Sequence, residues 1–226
     1  MENNITIEIG EEKLNKIKIY TDSGIETKYI SLDELMKMIE SASTMEEEKE
    51  EFIESPIFPQ FSGISTIQYR ESQTSQVYII KKEACRMDLT YFGDKFNNVG
   101  IPTLLFKILV YNNSIKGVEL VAVKDAVITE HTPLFKYPFS NVFDNTSVCL
   151  GANNIAALDI SETAFIYRIP NLVLSLENNN DAYNNANNTG LALRELLNKL
   201  SNNDFNNDWL KPLNMDYSKW ANRWLF

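Results

Sequence analysis

Thr132-Pro-Leu-Phe-Lys-Tyr-Pro-Phe-Ser-Asn-Val-Phe-Asp-Asn-Thr-Ser-Val-Cys149 is the stretch that decides the reading of this chain, and Leu150 and Gly151 follow it. It holds Pro133 and Pro138, a run of turn formers at Asp144, Asn145, Thr146 and Ser147, and an Asn eight positions before a Cys. Turn residues of this kind fold a chain back on itself, so the spacing predicts that Asn141 and Cys149 come near each other. A thiol on such a loop is a candidate nucleophile, because a thiol needs no local base when its acyl donor is already activated. A carboxamide beside it can donate a hydrogen bond to the oxyanion of a tetrahedral intermediate. The opposing reading is structural. Free cysteine is among the most buried residue types, and Val148, Cys149 and Leu150 also read as a short apolar strand with the sulfur in the core. Cys85, in Lys-Glu-Ala-Cys-Arg-Met-Asp-Leu, has no such neighbours and reads as a small core residue on a strand.

Upstream of the loop, segments 64–69, 77–91, 103–111 and 118–123 are rich in Ile, Val, Tyr and Thr, with polar breaks at 72–75, 93–100 and 112–117. Such runs predict strands, and short breaks predict a four-stranded antiparallel meander leading straight into the loop. Further toward the N-terminus, Ile5, Ile7 and Ile9 alternate with polar residues, as do Ile17 and Ile19, and Asp22-Ser23-Gly24 supplies a turn before 25–30. Ser31 and Glu34 have capping-box spacing ahead of Leu32, Leu35, Met36 and Ile39, which predicts a short helix. The acidic run 46–51 reads as a solvated helix face, a linker, or a docking site for a basic partner. Residues 1–56 are therefore taken as a strand-rich appendage and 57–226 as the main domain, an α+β fold.

Downstream, Leu193, Leu196, Leu197 and Leu200 form one helical stripe, and 171–177 after Pro170 forms a helix or a short strand. The Asn-rich tract 178–188 buries little apolar area and is expected to be a mobile loop. Trp209, Trp220 and Trp224 read as packing aromatics. His131, the single histidine, reads either as a loop-edge residue or as the base of a Cys-His dyad, which demands hydrogen-bond reach to the sulfur.

The 226 residues, 44% of them hydrophobic, suffice for a sizeable core. A net charge of −10 argues against nucleic acid, which rewards clustered Lys and Arg. The opening Met-Glu-Asn-Asn-Ile-Thr-Ile-Glu lacks the cationic and apolar regions of a signal peptide, and no apolar run approaches the ~18 residues of a membrane span. A soluble, cytoplasmic protein without membrane contact is expected. Two cysteines in unrelated contexts give neither a disulfide framework nor metal-ligand spacing, so no metal or cofactor is expected.

A meander, then a proline-bearing loop with Asn141 and Cys149, then helices, resembles the ubiquitin-conjugating (UBC-like) fold. Over residues 58–225 the chain is similar to the bacterial ubiquitin-conjugating-like proteins of the PRTRC system, PRTRC system protein B in particular. The resemblance implies that Cys149 carries a modifier as a thioester and that Asn141 steadies the oxyanion. It also implies that an acidic residue orients the incoming lysine, for which Asp144 and Asp159 are candidates, each also readable as a turn former or helix cap. The implied partners are a ThiF-like activating enzyme, a ubiquitin-like modifier and a lysine-bearing target. Two departures stand out. Phe139-Ser140-Asn141 occupies the place of His-Pro-Asn in eukaryotic conjugating enzymes, so the buttressing histidine is missing. Strands and the helix after Ser31 replace the usual N-terminal docking helix. The reading that competes with a conjugating enzyme is a catalytically inactive UBC-fold module that presents a ubiquitin-like protein to a partner; the thiol at Cys149 speaks for the enzyme. A structural protein acting through its acidic face rests on charge alone.

Overall fold

Alternating isoleucines build the N-terminal part. In the computed structural model, which describes residues 5–9, 14–21, 24–44, 53–54, 63–151, 165–184 and 186–223, β1 (Ile5–Glu8), β2 (Asn15–Thr21) and β3 (Gly24–Ile30) pair antiparallel in that order. Ile7 lies opposite Ile17 and Ile5 opposite Ile19 in the register of the pair. α1 (Leu32–Thr44) follows directly. Ser31 Oγ accepts from Glu34 N at 3.3 Å, and Ser31 N donates to the Glu34 carboxylate at 3.0 Å, the reciprocal capping that the sequence predicts. Of the stripe on this helix only Leu35 is buried; Leu32, Met36 and Ile39 are exposed. Contacts divide the chain into two units, Met1–Glu51 and Phe52–Phe226.

The second unit contains β4 (Ile53–Glu54), β5 (Ile64–Glu71), β6 (Ser75–Lys82), β7 (Cys85–Tyr91), β8 (Asp94–Ile101), β9 (Leu104–Tyr111), β10 (Ser114–Ala122) and β11 (Pro133–Phe135). After these come α2 (Phe165–Leu174), α3 (Leu193–Leu200), a 3-10 turn at Asn207–Trp209, β12 (Pro212–Asp216) and α4 (Tyr217–Asn222). Seven strands form one sheet in the order β12-β11-β10-β9-β6-β5-β4. Strands β5, β6, β9 and β10 lie side by side, all antiparallel, but they do not all follow one another in sequence as the expected meander would. Segment 77–91 is two strands, and the supposed polar break at 93–100 is a third: β7 and β8 pair as a separate hairpin inserted between β6 and β9. Phe96 and Val99 bury themselves within a run whose Asn97 and Asn98 are exposed, and the left-handed Asn98 (φ 55°) breaks the simple alternation that would have marked a strand.

β9 reads Leu-Leu-Phe-Lys-Ile-Leu-Val-Tyr, the near-continuous apolar run of a strand covered on both faces. One face, with Ile80, Phe106, Ile108 and Leu120, packs with Ile169 and Val173 of α2, the four leucines of α3 and Leu89 and Phe96 of the inserted hairpin. The other, with Ile79, Leu105, Leu109 and Val121, is covered by Tyr217 and Trp220 of α4. Helix α2 begins before Pro170 and runs through it, where the sequence placed a helix or strand only after the proline. Trp220 is fully buried and Trp209 stacks edge-on against Phe205 at 6.0 Å; Trp224 lies outside the described residues.

The Asn-rich tract is not the mobile loop expected from its composition. Asn178 is buried, and its backbone N and Nδ2 both donate to the Thr90 carbonyl at 2.8 and 3.2 Å. Asn180 Oδ1 accepts from Tyr91 Oη at 2.8 Å, Asn187 Nδ2 donates to the Pro138 carbonyl at 2.9 Å, and Asn188 Nδ2 donates to the Leu210 carbonyl at 3.0 Å. Carboxamides supply donors and acceptors in pairs, and here they bind backbone where apolar burial would not suffice.

The inserted hairpin approaches the segment after α3 so closely that a Cβ on Gly100 would sit 2.3 Å from the Asn203 carbonyl oxygen and 2.5 Å from Phe205 N. Backbone cannot yield as a side chain would, so Gly100→Ala should lower stability by about 1–3 kcal/mol, the usual cost of overpacking. The urea midpoint checks this; an unchanged midpoint would show that the segment moves freely.

Candidate active site

Residues 141–149 form a small hairpin. Cys149 N donates to the Asn141 carbonyl at 2.7 Å, Phe143 N to the Ser147 carbonyl at 2.9 Å, and Thr146 N closes the turn on the Phe143 carbonyl at 2.8 Å. Val142 and Val148 face each other between these bonds, so Asn141 and Cys149 are cross-strand neighbours at its open end. The turn follows from its residues: Asn145 Oδ1 accepts from both Ser147 N (3.1 Å) and Ser147 Oγ (2.6 Å), an Asx turn. The returning arm docks on β10, with Val148 N donating to the Val118 carbonyl at 2.8 Å and Leu120 N to the Thr146 carbonyl at 2.9 Å.

A buried ionic network holds the turn end. Glu119 and Lys107 are directly opposite in the β9–β10 ladder, are 2% and 6% exposed, and pair at 2.6 Å. Glu119 Oε2 also accepts from Thr146 Oγ1 at 2.6 Å and from Arg223 Nη2 at 3.1 Å. Thr146 is β-branched yet left-handed (φ 72°), a conformation that costs on the order of 1–3 kcal/mol. Three contacts to its hydroxyl offset this: the bond to Glu119 and those accepted from Arg223 Nη2 at 2.9 Å and Trp220 Nε1 at 3.3 Å. Burial pushes the Lys107 ammonium below its ordinary range, and the Glu119 carboxylate pulls it back.

The open end is held by the Asn-rich tract. Ser140 is fully buried; its Oγ donates to Asn178 Oδ1 at 2.9 Å and accepts from Asn179 N at 3.2 Å. Asn141 Nδ2 donates to the Glu177 carbonyl at 2.9 Å, and its backbone N to the Asp181 carbonyl at 3.3 Å. Asn141 too is left-handed (φ 69°), which Asn tolerates better than most residues.

Cys149 is a free, partly exposed cysteine, neither sealed in the core nor fully open. Asp144 is exposed at the turn, and Lys136 Nζ, 2.5 Å away, holds its carboxyl below the ordinary range by hydrogen bond and charge. That contact is present above the ordinary aspartate pKa and is lost as pH falls through the lowered value. Asp159 lies outside the described residues. His131 lines a separate groove of about 380 Å³ with Pro133, Phe135, Pro212, Met215 and Asp216, whose lining includes neither Cys149 nor Asn141. Cys85 opens β7 and packs against the core. Among the described residues no group of three or more His, Cys, Asp or Glu is arranged to hold a metal, and no helix is long and apolar enough to cross a membrane.

A model of the family described as Prok-E2_D, prokaryotic E2 family D, matches residues 31–213. The chain belongs to prokaryotic E2 family D. No curated protein and no solved structure matches it. Membership places it among bacterial ubiquitin-conjugating-like proteins, a transferase-like group that works with an E1-like enzyme and a ubiquitin-like protein. The matched span runs from the start of α1 into β12 and includes the whole 141–149 hairpin.

Sequence reasoning gave no role to Glu119, read Thr146 only as a turn former and Asn178 only as part of a mobile tract, and noted Ser140 only as a departure from His-Pro-Asn. For Glu119 a signal existed: it interrupts the apolar run Val118–Ala122 of β10, and Lys107 is the single charge of β9, which a solvent-facing position would not explain. Glu119→Ala strands Lys107 as an unanswered buried charge and should cost about 3–5 kcal/mol, as breaking buried pairs does. A urea titration with unchanged slope would measure it; a loss below about 1 kcal/mol, the range of surface pairs, would mean that water reaches the site.

Proposed function

We propose that this family D protein is a cysteine-dependent acyltransferase, in which the Cys149 thiolate attacks the thioester of a ubiquitin-like modifier held on a ThiF-like activating enzyme. The activating enzyme's thiolate leaves, and the modifier's C-terminal carbonyl is then bonded to Cys149 Sγ. A lysine amine of the target attacks that carbonyl, the tetrahedral intermediate collapses with Cys149 as leaving group, and the amine proton passes to solvent. The observation that supports this reading is the backbone bond of 2.7 Å between Cys149 N and the Asn141 carbonyl, which makes a carboxamide-bearing residue the cross-strand neighbour of a partly exposed cysteine. Asn141 Nδ2 bears two hydrogens and spends one on Glu177. The second is the donor we assign to the developing oxyanion.

Asp144 is the carboxylate we assign to orienting the incoming lysine. It is exposed and ionised, and its contact with Lys136 is itself a carboxylate–ammonium pair of the kind a substrate amine would form. Asp159 stays a second candidate on sequence alone. The resemblance to PRTRC system protein B supports a setting with a ThiF-like enzyme and a JAB-type metallopeptidase, in the cytoplasm.

With activating enzyme, ATP and modifier, the protein should acquire a modifier adduct that reduction removes, and Cys149→Ala should abolish it. A reducible adduct that persists in Cys149→Ala would remove Cys149 from the mechanism. Modifier binding with no adduct at any pH would favour the inactive presenting module. Asn141→Ala should load normally but discharge to free lysine about 10²–10³-fold more slowly, the usual effect of losing one oxyanion donor. Equal single-turnover discharge rates would exclude that role.

A further inference from the structure

Two consecutive residues at the entry to the hairpin grip Glu177 and Asn178, at the head of the Asn-rich tract. Ser140 Oγ donates to Asn178 Oδ1 at 2.9 Å, and Asn141 Nδ2 donates to the Glu177 carbonyl at 2.9 Å. Asn178 is fixed in turn: its N and Nδ2 hold the Thr90 carbonyl at 2.8 and 3.2 Å, and its own carbonyl accepts from Phe92 N at 3.3 Å. Ser140 and Asn178 are 0% and 3% exposed, so no substrate reaches either of them. A buried polar pair whose every member is satisfied fixes geometry. Here it fixes the Glu177 carbonyl, the acceptor that determines which way the Asn141 carboxamide faces. An acceptor at that point requires the NH2 group of Asn141, not its oxygen, on that side.

We propose that Ser140 and Asn178 are positioning residues that aim the Asn141 carboxamide at the carbonyl carried on Cys149, with the inserted β7–β8 hairpin as their anchor through Thr90. This rests on the acyltransferase reading above. With the first hydrogen of Nδ2 held by Glu177, the second has a set direction before any acyl group arrives. Without the Ser140–Asn178 contact the Glu177–Asn178 peptide keeps its N–H bond to Thr90 but loses the brace on the hairpin side, so its carbonyl can tilt about that bond and the carboxamide turns with it. Transfer to the thiol does not use Asn141 in this scheme, so loading should be indifferent to the clamp and discharge should not.

The test uses the full chain and two readouts. In the first, exchange with D2O of the 15N-labelled Asn141 side-chain amide, assigned by its disappearance in Asn141→Ala, should quicken about tenfold in Ser140→Ala, the scale of one buried hydrogen bond. In the second, Cys149 is charged directly with the mercaptoethanesulfonate thioester of N-acetylglycylglycine, mercaptoethanesulfonate leaving, and discharged to free lysine under single-turnover conditions. Ser140→Ala should load within about twofold of the unsubstituted chain and discharge about tenfold more slowly. Asn178→Asp, isosteric but without the side-chain donor to Thr90, provides a second variant and should show the same two changes. Unchanged exchange at Asn141, or loading and discharge that fall together, would overturn the proposal. If the unsubstituted chain does not load at all, the thioester reading fails, and the exchange measurement alone still decides whether Ser140 and Asn178 hold Asn141.

Discussion

Glu119 is a carboxylate taken out of water, and the arrangement of the second unit follows from how that charge is answered. An unpaired ion in an apolar interior is far costlier than any single packing contact. Lys107 answers from the neighbouring strand and Arg223 from just beyond α4, and each brings other elements with it. Lys107 Nζ also donates to the carbonyls of Trp220 and Arg223 at 3.0 and 2.8 Å, at the end of α4, where, among the described residues, the Trp220 carbonyl otherwise accepts only the capping Arg223 N at 3.3 Å. Arg223 Nη2 reaches the Asn145 carbonyl at 2.7 Å in the hairpin turn. One buried charge thus joins β9, β10, α4 and the turn before Cys149. Because burial lowers the Lys107 pKa from 10.5, the cost of keeping that lysine charged is fully present below the lowered value. It diminishes as pH rises toward the unfolded one, so this group favours stability at the alkaline end.

The hairpin is therefore held at both ends by chemically different means. Its turn is fixed by ions on the face of the sheet covered by α4, and its open end by neutral amides and a hydroxyl beside the inserted hairpin. Ionic anchoring tolerates a left-handed Thr146 because three contacts converge on one hydroxyl. Amide anchoring suits the open end for another reason. In the acyltransferase proposed above, a charge there would perturb the developing oxyanion, whereas a carbonyl that accepts one N–H leaves the other available. A hydrogen-bonded hairpin with a partly exposed cysteine suits the acyl carrier proposed above, since its reacting partners would arrive from outside while the transition state rewards preorganised donors.

Much of this was legible in the sequence, and the exceptions have physical causes. The Ser31–Glu34 box, the leucine stripe of α3 and the strands β5, β6, β9 and β10 follow from local period and capping, which the chain writes in adjacent residues. The approach of Asn141 to Cys149 follows from the Asx turn at Asn145. The hairpin β7–β8 escaped because Gly93, Asn97 and Asn98 look like a loop, and its buried residues become apolar partners only once α3 lies against them. The Asn-rich tract escaped because composition measures the apolar area a segment can bury, not the backbone groups its carboxamides find far away, such as Thr90, Pro138 and Leu210. Both misses concern contacts between residues widely separated in sequence.

Replacing His-Pro-Asn by Phe139-Ser140-Asn141 has a consequence for how the site responds to acidity. An imidazole changes charge between about pH 5 and 8, so a flap buttressed by histidine can alter its geometry across that range. A serine hydroxyl and a carboxamide do not titrate there. The single histidine of the chain, His131, lines the groove beside β11 and β12, away from the Ser140–Asn178 and Asn141–Glu177 contacts. The aim of Asn141 is therefore set by groups of constant charge. In the acyltransferase proposed above, the contacts that aim Asn141 would therefore keep their charge between about pH 5 and 8.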